Sequence, residues 1–132
     1  MDQWRRIFFQ ANGPQFRPSA MGIKFSSFFE PGTVATFGGR RGQVVPFGGS
    51  LYRVPDDLPY SRSESQFEAA FAHLAALQPS FRAAGADKFT LHMHRTFEGQ
   101  CNEEFTQNEL RMLLSLDCLF FYAARSDWGD DA

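Results

Sequence analysis

His92 and His94 stand one residue apart in the stretch LHMHR. On an extended segment this spacing sends both imidazoles to one face, and two such ligands can begin a zinc site. Such a site needs a third or fourth ligand. Cys101, Glu103 and Glu104 follow in sequence, but no spacing pattern secures them. Two ordinary surface histidines are the simpler reading, and neither a metal nor a cofactor is expected. A thiol nucleophile at Cys101 would need a flanking motif or an orienting acid, and neither stands at a telling position. Cys118 opens an apolar stretch and reads as packing. The segment Gly38-Gly39-Arg40-Arg41-Gly42 could cradle a phosphate, yet it lacks the Lys-Ser/Thr ending of a phosphate loop and enters no helix. It reads as a turn that exposes two arginines, a residue type enriched where proteins make strong contacts. The adjacent carboxylates Asp56-Asp57 and Glu103-Glu104 diverge on an extended chain and do not form acid/base couples. These residues offer recognition rather than catalysis, and the expectation is a protein that is not an enzyme.

The elements that must hold these residues divide unevenly along the chain. Eight of the 11 glycines lie between Gly13 and Gly49, and six of the seven prolines between Pro14 and Pro59. That half is expected to be strands and turns. Strands are expected at Trp4–Gln10, Ile23–Phe29, Thr33–Phe37 and Ser50–Val54, where β-forming residues cluster between turn signals. The tripeptide FGG occurs at Phe37 and at Phe47, which suits two strand ends joined by a glycine-rich connection. From Ser61 onward helix signals appear. Ser63 and Gln66 have capping-box spacing, Phe67, Phe71, Leu74 and Leu77 fall on one helical face, and Pro79 is expected to close the helix. A strand is expected from Lys88 to Arg95, with Phe89, Leu91 and Met93 on one side and Thr90, His92 and His94 on the other. Thr106 and Glu109 form a second capping box, opening a shorter helix that ends at Asp117. Residues 118–124 are apolar on both faces and read as a central strand. The order predicts an α+β fold: one domain over 1–132, with a mixed or antiparallel sheet, two helices on one face, a glycine-rich, loop-rich N-terminal half, and a frayed tail over 124–132.

Composition narrows the function classes. The chain has 132 residues, 43% hydrophobic and 21% charged, enough for one core without staples. Net charge is -2, from 13 basic and 15 acidic residues, and no basic run exceeds a pair. A nucleic-acid partner is therefore not expected. No secretory leader is expected, because the N-terminal MDQWRRIFFQANG lacks the apolar stretch one needs, and no membrane span, because the longest apolar run, Cys118 to Ala124, is far too short. Two cysteines with no motif spacing fit free thiols and a cytoplasmic setting.

The 16 phenylalanines carry the functional argument. Phe8-Phe9, Phe28-Phe29 and Phe120-Phe121 are adjacent in expected strands, so each pair sends one ring to each face of the sheet. Two helices cover one face. The other rings need cover from the glycine-rich half, a second chain or a partner, and an open aromatic face is what a protein-binding site would look like.

Two stretches carry a resemblance. GQCNEEFTQNELRMLLSLDCLFFYAAR, from Gly99 to Arg125, resembles the ending of a family of small bacterial proteins of unknown function, in which a strand leads to a "gQCN" loop, a capped helix and a last apolar strand. EPGTVATFGGRRGQVVPFGGSLYRVP, from Glu30 to Pro55, is similar to the glycine-rich strand pair of such proteins. Proteins of this kind look like immunity proteins, encoded beside a secreted polymorphic toxin that they neutralise by contact. The resemblance implies a one-to-one complex with a cognate protein toxin and transfers no functional residues. On this reading Arg40, Arg41, His92, His94, Glu103, Glu104, Asp127 and Trp128 would supply contacts around the aromatic face. A small-ligand or metal-dependent enzyme centred on His92, His94 and Cys101 is the second reading, and a homodimer covering the open face is the third.

Overall fold

The computed structural model describes residues 5–36, 38, 39, 41–97 and 103–126. Five strands and two helices make an α+β fold: β1 (Arg5–Gly13), β2 (Ser27–Phe29), β3 (Gly48–Arg53), α1 (Gln66–Ala83), β4 (Lys88–Phe97), α2 (Gln107–Ser115) and β5 (Leu119–Ser126). A short 3-10 turn spans Pro18–Met21. The sheet is mixed, with spatial order β2-β3-β1-β4-β5. All pairs are antiparallel except β4 with β5, which α2 joins by the crossover that a parallel pair requires.

Alternation along the strands decides which face is buried. In β1, Phe9 and Ala11 are fully buried, and in β4 so are Leu91 and Met93, with Phe89 and Arg95 nearly so. These side chains meet Phe67, Phe71, Leu74 and Phe81 of α1 and Leu116 after α2, with Met112 and Leu113 of α2 packed at the margin. Burying one such ring contributes about 2–3 kcal/mol. Phe81 is the hub, with ring contacts to Phe9, Phe16, Phe25, Tyr52 and Phe89 at 5.5–6.5 Å.

Both helices start with a complete capping box, and the two boxes are wired together. In α1 the cap is Ser65 with Glu68, two residues later than the Ser63–Gln66 pair the sequence suggests. In α2 it is Thr106 with Glu109, as expected. The Ser65 hydroxyl also donates to Glu109 Oε2 at 2.6 Å, and Asn108 Nδ2 donates to Glu68 Oε2 at 2.8 Å. Burial alone would raise the Glu109 pKa, but hydrogen bonds from Ser65 and from the Thr106 backbone and hydroxyl outweigh it and hold the carboxyl below its ordinary value.

Several elements depart from the sequence-based expectation. Pro79 does not close α1, which continues to Ala83. The missing N–H leaves the Ala75 carbonyl without its helical donor, at a cost of up to about 3 kcal/mol. Continuing the helix carries Phe81 into the core and lets buried Gln78 donate to the Leu116 carbonyl, and those gains offset the loss. β1 runs past Gln10 to Gly13, because Ala11 and Asn12 keep partners on both flanking strands. Of Ile23–Phe29 only Ser27–Phe29 is strand, and of the expected strand Thr33–Phe37 the described residues 33–36 supply a single bridge, Val34 to Val44, in a largely exposed glycine-rich arm, while Phe37 lies outside the described residues. β5, expected to be central, is an edge strand. Glycine is required where backbones touch: a Cβ at Gly48 would strike the Phe16 carbonyl, and one at Gly85 (φ 108°) the Gln15 carbonyl.

Among the described residues no helix is long and apolar enough to cross a membrane.

Candidate functional site

The helices occupy one face of the sheet, and no described helix or strand packs on the other. Register brings residues far apart in sequence together there. β1 and β4 set Phe8 opposite His92, Gln10 opposite Thr90 and Arg6 opposite His94. β4 and β5 set His92 beside Phe121. The ring of His94 meets Phe8 edge-on, with centroids 5.7 Å apart at 89°. His92 lies 6.2 Å from His94 at 24° and 5.6 Å from Phe121. The result is a row of rings, Phe8, His94, His92 and Phe121, across three strands.

A depression of about 510 Å³ opens beside this row, lined among others by Phe8, Gln10, Asn12, Leu51, His92 and His94. Phe29, backed by Phe47 at 5.5 Å, closes its far end. Apolar walls with a few convergent amides and imidazoles suit an amphipathic side chain or a small ligand. At the other end Leu119 is 74% exposed and Phe121 53% exposed, a heavy apolar burden for a free surface.

His92 is held in place. Its Nε2 lies 2.7 Å from Gln10 Oε1, so the ring donates there in the neutral tautomer that protonates Nε2. Burial, and secondarily the positive charge of His94, push its pKa below the ordinary histidine value. The face therefore presents a neutral imidazole at neutral pH. A second histidine, His73, lies on the helix side, where its Nε2 is 2.8 Å from the Tyr52 hydroxyl. Burial lowers the His73 pKa and raises that of Tyr52, so both stay neutral.

The remaining candidate residues are dispersed. Glu103 pairs with buried Arg95 and accepts from the Tyr122 hydroxyl at 3.2 Å, on the helix side of the sheet. It anchors the approach to α2 and is turned away from the ring row. Glu104 is exposed at the same approach. Arg41 is exposed in the turn of the glycine-rich arm, where its backbone N–H bonds the Gly38 carbonyl at 3.2 Å. Arg40, Cys101, Asp127 and Trp128 lie outside the described residues. Among the described residues no group of three or more His, Cys, Asp or Glu is placed to hold a metal ion. Cys118 is half-buried against the core, and burial pushes its thiol pKa up, which suits packing and opposes nucleophilic use.

Sequence reasoning found His92 and His94 but missed Phe8, Gln10, Asn12 and Leu51 as their neighbours. Alternation in β1 already aligned Arg6, Phe8, Gln10 and Asn12 on one face. What could not be read was which strand lies beside it, since Gln10 and His92 are 82 positions apart. No family model matches the chain, and neither the curated proteins nor the solved structures yield a match.

Proposed function

We propose that this chain is a binding protein of the immunity type, which captures one cognate protein toxin on its open sheet face and blocks it by contact in the cytoplasm. The observation that carries the reading is the row Phe8–His94–His92–Phe121, which no described helix or strand covers, beside a depression large enough for an inserted side chain. Rigid rings on a sheet lose little entropy on docking, and a central pocket bordered by polar groups is the usual anatomy of a contact centre. The net charge of -2 fits a protein partner better than a nucleic acid. The toxin as that partner is part of the proposal and comes from the resemblance of Gly99–Arg125 and Glu30–Pro55 to immunity-type proteins.

Co-expression with the product of the adjacent open reading frame tests the reading. Growth should be rescued by the wild-type chain and lost with Phe8→Asp. Rescue by that variant at wild-type level would refute the assigned face.

The depression supports a second reading, a small-ligand site, because its volume lies in the usual pocket range and Gln10, Asn12 and His92 converge on it. A ligand retained through purification and released by Asn12→Leu would favour that reading over the first.

A further inference from the structure

The β5 edge of the sheet adjoins the ring row, since Phe121 belongs to both. β5 bonds β4 on one side, and no described strand pairs with its other side. Natural edges are blunted by shortness, proline, bulges or inward charge. β5 runs eight residues as LFFYAARS, with no proline and with Leu119, Phe120 and Phe121 at 74%, 38% and 53% exposure. A long apolar strand that no described strand flanks on one side is a template for another strand.

We infer that the edge is covered by a second copy of this chain, β5 pairing antiparallel with its own counterpart about a two-fold axis at Tyr122, so that two five-stranded sheets become one of ten strands. The register follows from size and side. A two-fold axis perpendicular to the sheet keeps both open faces together, and directly opposed residues in an antiparallel pair share a face. Centring on Tyr122 satisfies this and sets Phe120 opposite Ala124 of the second copy and Phe121 opposite Ala123. The two large rings of each strand thus meet the two small residues of the other, and the run FFYAA is complementary to itself.

A second layer meets at the same boundary. Asn108 of α2 donates to Glu68 of α1, which fixes the flank of α2 that faces its neighbour. Leu110 and Leu114 lie about 200° and 240° round the helix from Asn108. They therefore look away from α1, toward the side on which Phe105 packs against Phe120. They are 50% and 81% exposed, the latter extreme for a leucine. One edge strand alone falls short of the roughly 1,000 Å² that a specific interface needs. The strand layer, with exposed Leu119, Phe120 and Phe121, and the helix layer, with exposed Leu110 and Leu114, meet at one boundary and add their apolar areas.

Pairing at β5 also adds a ring to the candidate site. Ala123 neighbours His94 in register, so Phe121 of the second copy enters the row that His94 occupies. The two open faces then form one continuous surface on the same side of the dimer.

Mass in solution, by light scattering or sedimentation of the full chain from micromolar to millimolar concentration, tests the inference. The wild type is expected at twice the mass of one chain. Leu119→Lys in the strand layer and Leu114→Glu in the helix layer should each give a single-chain mass at the same concentration with an unchanged far-ultraviolet circular dichroism spectrum, since both side chains are exposed. A wild type that stays at single-chain mass throughout, or a double mass that survives both substitutions, would overturn it. Leu114→Glu lies on α2, off the open sheet face, so its effect on mass is read apart from direct damage at Phe8 or His94.

Discussion

The ring centroids of His92 and Phe121 lie 5.6 Å apart, side by side on β4 and β5 and on the face that no described helix covers. The neighbouring residue in each strand, Met93 or Phe120, points to the helix side. Adjacent residues of one sheet thus have opposite fates. Phe121→Ala is expected to change unfolding free energy by less than about 1 kcal/mol, because the side chain is half in water already. Phe9→Ala, at a fully buried ring, is expected to cost about 3–5 kcal/mol. Urea unfolding of the two variants distinguishes the faces; equal losses would mean that the open face is packed after all.

Glu109 is expected to matter more than a helix-cap residue on a free surface. Its carboxylate serves the cap of its own helix and receives the Ser65 hydroxyl from the cap of the other. Ser65→Ala should cost about 1–2 kcal/mol and Glu109→Ala about 2–3 kcal/mol. The double variant should lose less than the sum, because each change removes the shared bond. Strict additivity in chemical denaturation would show that the two caps act independently.

Pro79 is a local cost that the core tolerates. Pro79→Ala restores a donor to the Ala75 carbonyl within α1 and should raise stability by about 1–3 kcal/mol, read as a higher denaturation midpoint with an unchanged m-value. An unchanged or lower midpoint would mean that the helix bends usefully at that point.

Two histidines set the acid limb of stability. His92 and His73 both have folded-state pKa values below the ordinary value of about 6.5, the first by burial and the charge of His94, the second by burial. A depressed histidine binds its proton more readily in the unfolded chain. Its contribution is therefore complete above about pH 6.5 and is lost as pH falls toward the folded-state value. Thermal midpoints should be flat from pH 8 to about 7 and should fall below about pH 6.5. In the double variant His73→Gln, His92→Gln that fall should shrink, leaving the loss at lower pH from carboxylates such as Glu109.

Local signals in the sequence proved reliable where one strong device stood alone. The alternation of Phe89, Leu91 and Met93 against His92 and His94 is reproduced in β4, and Thr106 with Glu109 caps α2 as the spacing implies. Where two devices compete, the sequence is ambiguous. Ser63 and Ser65 each precede an acceptor by three residues, and the choice falls to Ser65 because only its hydroxyl reaches Glu109 across the helix pair. Proline inside α1 was unreadable because the compensation at Phe81 and Gln78 is tertiary. β5 is apolar on both faces like a central strand, yet it stands at the edge, where nothing in its own residues records how many neighbours it has. The site is half legible for the same reason: side chains within one strand could be grouped, and the strands that meet could not.

The open face as a docking surface is tested most directly by titrating the purified chain with the protein encoded beside it and following heat of binding. A one-to-one complex is expected (one toxin per chain), with Phe8→Asp and His94→Asp each weakening it at least about 100-fold, as loss of a central contact does, while their unfolding midpoints stay near wild type. Full-strength binding by both substituted chains would contradict the account.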